Sequence, residues 1–382
     1  MKKLVYIILT AVILITCYTS SNKVVASPQE STYVSVLVGY KRNIDPELRK
    51  LDGIIKEKYE NIKAVKVTIP VSELNTLKEN KDVTYIEEDT IVNKLSQTVD
   101  WGISKIEAPL TWSNGYTGKG VKIAIIDSGI STHDDLDISG GISFVEGEPS
   151  YEEGSLHGTH VAGIIGAKHN DIGVVGVAPD SEIYAIKSLD SRGNGYISDV
   201  IEGIDWAVNN QMDIINLSLG TNVDSQALRE AVDIAYENGI LLVAGAGNDA
   251  STNSKIDTVD YPAKYDSVIA VGATTESDEK LPLSSTGESV EVSAPGYNIL
   301  STNNNNGYVA MEGTSMAAPF VAGFLALLIE QYPQYSNTEI RDLLATKVVD
   351  LGKKGKDPLF GYGLINTSVV DSAKKDKNRK KY

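Results

Sequence analysis

From residue 96 onward, short apolar runs alternate with helical patterns, and this alternation restricts the fold more than any other feature of the 382-residue chain. The runs are VKIAIID at 121–127, SEIYAIKSL at 181–189, MDIINLSLG at 212–220, ILLVAGAG at 240–247 and DSVIAVGA at 266–273. Helical periodicity occupies 156–168, 198–209 and 225–238 between them. Strands that lack polar alternation must be covered on both faces, and helices placed between successive strands supply that cover. The expected class is α/β, a three-layer arrangement with a mainly parallel sheet and helices on both faces. SMAAPFVAGFLALLIEQY at 315–332 is apolar almost all round, which predicts a buried helix.

Residues 31–95 read differently, as a small α+β unit of nearly balanced charge. TYVSVLVGY alternates as a strand. DPELRKLDGIIKEKYE predicts a helix with Asp45 as N-cap and Pro46 at the first position. In that helix Leu48, Leu51, Ile55 and Tyr59 would share a face. IKAVKVTI is a second strand, VSELNTLKEN a second helix and VTYIEED a third strand.

The ends have their own composition. Lys2 and Lys3 precede an apolar run from Leu4 to Cys17, and Val24-Val25-Ala26 offers small residues before Ser27. Residues 1–26 therefore read as an export signal; the run is short for a membrane span. Retention as an uncleaved anchor is the alternative, and Thr16 argues against a lipid-modified Cys17. Cys17 is the sole cysteine, so no intrachain disulfide can form. The segment 374–382, KKDKNRKKY, is a basic, solvated tail. The net charge of −16 excludes generic nucleic-acid binding.

Three strings supply residue types for nucleophilic catalysis. AIIDSG ends a strand with Asp127, HGTHVAGI opens a helix with His157, and GTSMAAP puts Ser315 at the start of the apolar helix. A strand's C-terminal end is where ligands gather in an open α/β sheet. A helix N-terminus favours developing negative charge. Each string alone is weak: a serine at a helix start is usually a cap, and HGTH lacks a third ligand for zinc. A fourth string, Gly245-Ala246-Gly247-Asn248-Asp249-Ala250, matches the dinucleotide-binding fingerprint G-x-G-x-x-A. Its context does not fit that use. STNSKIDTVDYP follows in place of a helix, and no strand about 20 residues on ends in an acid.

The order Asp127…His157…Ser315, inside DSG, HGTHVAG and GTSMAAP, resembles the subtilisin-like serine proteases. GYTGKGVKIAIIDSGI, IGVVGVAP and YGLIN extend the likeness over nearly the whole chain. The resemblance implies a subtilisin-like protease domain at 96–373. It also implies an inhibitory, chaperoning propeptide at 31–95, of ferredoxin-like α+β fold, ending in VTYIEEDTIV. It gives Ser315 the role of nucleophile, His157 that of general base and acid, and Asp127 that of orienting carboxylate. Asn248 and the Ser315 N–H become oxyanion donors. His160 and the other histidines are left structural roles.

By the same resemblance, Gly245, Ala246 and Gly247 with Ser218, Leu219 and Gly220 wall the S1 pocket. Extended substrate pairs with 218–220 and with the Arg192–Gly195 loop, where Gly193 and Gly195 permit close approach. Asp260 falls at the base of S1 and Asp249 near its rim, which suits Lys or Arg at P1. The competing expectation is that Asp260 turns to solvent or pairs with Lys255 or Lys264. Calcium is the implied cofactor, held by the side chains of Gln97, Asp135 and Asn170 and the carbonyls of Lys168, Ile172 and Val174. Maturation would cut after Leu95 by alignment, or after Lys94 if P1 is basic.

The expected activity is that of a secreted, self-processing, monomeric serine endopeptidase acting on proteins or peptides, with its own propeptide as a partner. A catalytically silent peptide-binding protein on the same fold is the alternative, opposed by the intact Asp127, His157, Asn248 and Ser315. A freestanding inhibitor built from 31–95 is a third reading, which the attached second domain argues against.

Overall fold

The computed structural model describes residues 33–90, 97–251 and 256–368. The expected signal at 1–26, the bonds after Lys94 and Leu95, Lys255 and the basic tail at 374–382 lie outside the described residues. The chain divides into two compact units, Met1–Asn93 and Lys94–Tyr382.

In the first unit, strand β1 (Tyr33–Tyr40) leads to helix α1 (Asp45–Lys50), then β2 (Ile54–Tyr59), β3 (Ala64–Pro70), α2 (Leu74–Lys78) and β4 (Val83–Glu88). The sheet is antiparallel with strand order β2-β3-β1-β4. The single long helix expected after Asp45 is corrected to a six-residue helix followed by a strand. Asp52 takes a left-handed φ of 54°, and the Gly53 N–H closes on the Leu48 carbonyl at 2.8 Å, which ends the helix. A Cβ on Gly53 would meet that carbonyl at 2.8 Å. Asp45 is the first helical residue rather than the N-cap, and its N–H is taken by Asn43 Oδ1 at 3.1 Å. Leu48, Leu51 and Ile55 still reach one core, now from a helix, a turn and a strand.

The second unit opens with helices α3 (Trp101–Lys105) and α4 (Ala108–Ser113). Strands β5 (Lys122–Asp127) and β6 (Ile138–Ser143) precede helix α5 (Leu156–Gly166). Strand β7 (Glu182–Lys187), helix α6 (Ile197–Asn209), strand β8 (Ile214–Leu217), helix α7 (Gln226–Glu237) and strand β9 (Leu241–Gly245) follow. Then come β10 (Val268–Thr274), β11 (Val290–Pro295) and the hairpin β12 (Ile299–Thr302) and β13 (Tyr308–Met311). Helices α8 (Thr314–Gln331) and α9 (Asn337–Thr346) and short strands β14 (Val348–Val349) and β15 (Leu364–Ile365) complete it.

The main sheet runs β14-β15-β11-β10-β9-β8-β5-β7-β6. Every described pairing in it is parallel except β14 with β15. Alternate residues of one strand enter different cores. Ile123 and Ile125 join α5 and α8, while Ala124 and Ile126 join α6 and α7. This is the two-faced burial that near-continuous apolar strands require. Helix α8 is buried through most of its length, as its all-round apolar sequence demands.

The chain places β7 on one side of β5 and β8 on the other. Crevices form outside the carboxyl ends of strands at such a reversal. Asp127 ends β5, Lys187 ends β7, and Ser218 directly follows β8.

Candidate active site

Asp127 is fully buried at the end of β5, and His157 lies in the first turn of α5. His157 Nδ1 is 2.9 Å from both Oδ1 and Oδ2 of Asp127. Asp127 Oδ1 also accepts from the Ser128 N–H at 2.7 Å and Ser128 Oγ at 2.9 Å. The neighbouring carboxylate raises the His157 pKa above its ordinary value, against the opposing effect of burial. Ser155 caps α5 by accepting the His157 N–H at 3.2 Å. Gly158 admits this approach, since a Cβ there would lie 2.2 Å from the Gly129 carbonyl.

Ser315 is the second residue of α8, in the turn whose N–H groups have no intrahelical acceptor. Its Oγ donates to the Ser218 carbonyl at 3.2 Å rather than to the His157 ring. Asn248 sits just past β9, with its amide oxygen tied by the Thr314 N–H at 3.0 Å and Thr314 Oγ1 at 3.3 Å. Thr314 thus holds the oxygen end of the amide and leaves the NH₂ end to face elsewhere.

Two hollows share Leu219 and Gly220 in their walls. One, of about 800 Å³, is walled by His157, Gly193, Gly195 and Ser218 among others. The second, about 220 Å³, is enclosed by Gly245, Gly247, Asn248, Asp249, Asp260 and Ser315. Ala246 does not line it: its side chain is fully buried in the core, and its carbonyl instead accepts the Asp260 N–H at 2.9 Å. Gly247 has φ 108°, and a Cβ there would lie 2.4 Å from Asp260 Oδ2. Lys264 pairs with Asp257 at 3.0 Å, and among the described residues no ion pair engages Asp260. Burial, and then the charge of Asp249, raise the Asp260 pKa; Lys264 opposes them.

The six residues expected to hold a cation cluster together. Gln97 Nε2 donates to the carbonyls of Lys168 and Val174, the latter at 2.9 Å, and lies 3.4 Å from Asn170 Oδ1. Asp135, fully buried, accepts from Asn170 Nδ2 at 2.8 Å and the Val174 N–H at 2.9 Å. Ile172 enters through its N–H, which donates to Asn170 Oδ1 at 2.8 Å. Among the described residues no group of three or more His, Cys, Asp or Glu could hold a metal. A cation here would depend on one carboxylate with amide and carbonyl oxygens, a donor set suited to a hard ion such as calcium.

Residues 118–363 match the subtilase family, peptidase S8. Subtilisin E of Bacillus subtilis (strain 168) is 44% identical over 380 residues, covering 97% of this chain and 99% of that protein. The chain belongs to the subtilase family. It is thereby a serine endopeptidase, a hydrolase of peptide bonds. The minor extracellular protease Epr of the same organism is 44% identical over 366 residues, and this chain spans 56% of its length. An alkaline protease of Alkalihalobacillus alcalophilus is 43% identical over 312 residues, 82% of this chain and 80% of that protein.

Sequence reasoning missed several groups that hold this subtilase site together. Pro319 has no N–H to give the Ser315 carbonyl four residues earlier, so that carbonyl accepts from Ser218 Oγ at 2.8 Å instead. The Pro in GTSMAAP was the available signal. Thr314 locks Asn248 and also receives the Gly247 N–H at 3.1 Å. Ser128 supports Asp127 and could have been read from DSG. His160 is structural: Nε2 faces the Ile299 and Val309 carbonyls, each at 3.0 Å, and burial lowers its pKa to about 4.

Proposed function

We propose that Asp127, His157 and Ser315 form the triad of this subtilase, and that the small hollow beside them selects Lys or Arg at P1. The observation carrying the first part is the contact of His157 Nδ1 with both Asp127 oxygens, with Ser315 Oγ 3.2 Å from the carbonyl of Ser218, a residue that lines the same hollow as His157.

In this reading Ser315 Oγ turns from the Ser218 carbonyl toward His157 Nε2, gives up its proton and attacks the peptide carbonyl. Such hydrogen bonds are often loose until substrate binds. His157 then protonates the leaving amine, and water hydrolyses the acyl-enzyme by the reverse sequence. Asp127 fixes the Nδ1–H tautomer and stabilises the imidazolium. The Ser315 N–H and Asn248 Nδ2 receive the oxyanion. Substrate extends along 218–220 and Gly193–Gly195 as an added strand.

Asp260 supports the P1 reading because it lines the small hollow and, among the described residues, stands in no ion pair, Lys264 being paired with Asp257. A Lys or Arg side chain would supply that partner, whereas an apolar one would leave the carboxylate unpaired. The Gln97–Asp135–Asn170 cluster, with the carbonyls of Lys168, Ile172 and Val174, would bind structural calcium. Residues 1–26 would direct export, and 31–95 would act as a chaperoning and inhibitory propeptide removed by the enzyme itself.

An active-site phosphonate or sulfonyl fluoride should label Ser315, and Ser315→Ala should abolish both labelling and proteolysis. Absence of labelling in mature protein would remove Ser315 from the role of nucleophile. N-terminal sequencing distinguishes a chain beginning at Leu95 from one beginning at Ser96.

A further inference from the structure

Among the described residues, Lys187 is the one lysine whose side chain is fully buried. It ends β7, directly beside Asp127 in the parallel register. A buried ammonium needs both a counter-charge and hydrogen-bond acceptors. Lys187 Nζ has Glu148 Oε2 at 2.9 Å and the Ser128 carbonyl at 2.9 Å.

Both partners lead to the active site. The Ser128 carbonyl also accepts the N–H of Ser155, the cap of the helix that carries His157, at 3.2 Å. Ser128 itself donates twice to Asp127 Oδ1, and its Oγ lies 2.5 Å from Ser155 Oγ. The ammonium therefore sits on the carbonyl where the Asp127 turn and the His157 cap meet. Glu148 faces the other way as well: its Oε1 accepts the Ser191 N–H at 3.2 Å. Ser191 begins the loop that continues through Gly193 and Gly195, the proposed substrate-pairing edge.

We infer that the Lys187–Glu148 ion pair is a positioning device that holds the Asp127–His157 turn and the substrate-pairing loop in one fixed relation. Each acts through a neighbour. Lys187 sets the geometry of proton transfer through Ser128, and Glu148 sets the register of extended substrate through Ser191. The inference rests on the triad reading above.

The two roles separate by substrate length. In Lys187→Met, kcat falls about tenfold or more for an anilide carrying P1 alone and for one spanning P4–P1 alike. In Glu148→Gln, the loss of kcat/KM grows with length, at least fivefold larger for the P4–P1 anilide than for the single-residue one. Loss of stability alone would leave kcat and KM at parent values below the unfolding transition, and that result overturns the inference. So does a Glu148→Gln penalty independent of length. If either single variant fails to fold, Lys187→Met/Glu148→Gln removes both charges together and leaves no unpaired buried ion. It should then show both the kcat loss and the length dependence, and their absence is equally decisive. Ser315→Ala is measured in parallel: retained activity there defeats the triad reading, whereas its inactivity with unaltered pair variants defeats this inference alone.

Discussion

His157 Nδ1 contacts both carboxylate oxygens of Asp127 at the same distance, 2.9 Å. The raised pKa of His157 comes first from that carboxylate. A general base must be neutral, so the acid limb of kcat/KM should lie above the ordinary imidazole value of 6.5, with activity lost as pH falls through it. In Asp127→Asn the raising charge is gone and the limb should move to lower pH. If the proposed triad holds, the rate should also fall by on the order of 10⁴, the loss seen when serine-protease triads lose their carboxylate. A pH–rate profile of both proteins checks the sign.

His160 behaves oppositely because it has burial without a carboxylate. Its pKa is lowered to about 4, so the folded protein declines a proton that the unfolded chain accepts near 6.5. The stabilisation it contributes is present in full above 6.5 and is lost progressively between there and about pH 4. The loss amounts to about 3 kcal/mol across that window. His160→Gln removes the titration and should flatten the dependence of Tm on pH between those limits. Calorimetry in a Ser315→Ala background avoids self-digestion.

The core strands were legible because burial on both faces leaves no room for polar alternation. Others escaped for physical reasons that can be named. Strand β11 carries Glu291, yet it lies in the sheet because Arg341 meets that carboxylate from α9, its Nε at 2.9 and 3.1 Å from the two oxygens. Strand β6, ISGGIS, has two glycines and little strand propensity of its own; pairing with β7 imposes its conformation. The helix after Asp45 was overextended because Ile55 and Tyr59 continue a helical spacing, and the Asp52-Gly53 turn carried the contrary signal. At the site, motif order named Asp127, His157 and Ser315. The supporting contacts of Ser218 and Thr314 depend on chain segments far apart in sequence, whereas that of Ser128 is local to DSG.

Ser218 and Asn248 test that support. Ser218→Ala leaves the Ser315 carbonyl without its hydrogen bond and should lower kcat by about tenfold, the scale of one lost bond to a buried acceptor. Asn248→Ala removes the proposed oxyanion donor and should cost about 10²–10³ in kcat, a range taken from loss of such an Asn in a subtilisin, with KM nearly unchanged. Steady-state kinetics on one peptide anilide separates these outcomes from general instability.

Asp135 is a fully buried carboxylate whose pKa is raised by burial, a cost that a bound cation would relieve. If the Gln97–Asp135–Asn170 cluster holds calcium, chelation should lower Tm by roughly 5 °C or more, and calcium added back in excess should restore it. Asp135→Asn should abolish the difference between chelated and calcium-loaded protein. A Tm that does not respond to chelation removes the site.

Asp260 places a carboxylate in the small hollow beside Ser315, and Asp249 adds a second charge near it. A charged hydrogen bond to a P1 cation contributes about 1.5–3 kcal/mol, roughly 10- to 100-fold in kcat/KM. Asp260→Asn should therefore lower kcat/KM for Lys and Arg at P1 by that factor while leaving Leu at P1 unchanged or improved. Protonation should mimic the substitution. The Asp260 pKa is raised above 3.8, so the preference for Lys over Leu is present above the raised value and fades as pH falls through it. Taking the ratio of kcat/KM for the two substrates cancels the His157 titration, which acts on both alike. Cleavage-site profiling in a denatured protein digest gives the same test without chosen substrates: cuts mainly after Leu, Phe or Tyr at neutral pH would remove Asp260 from substrate selection.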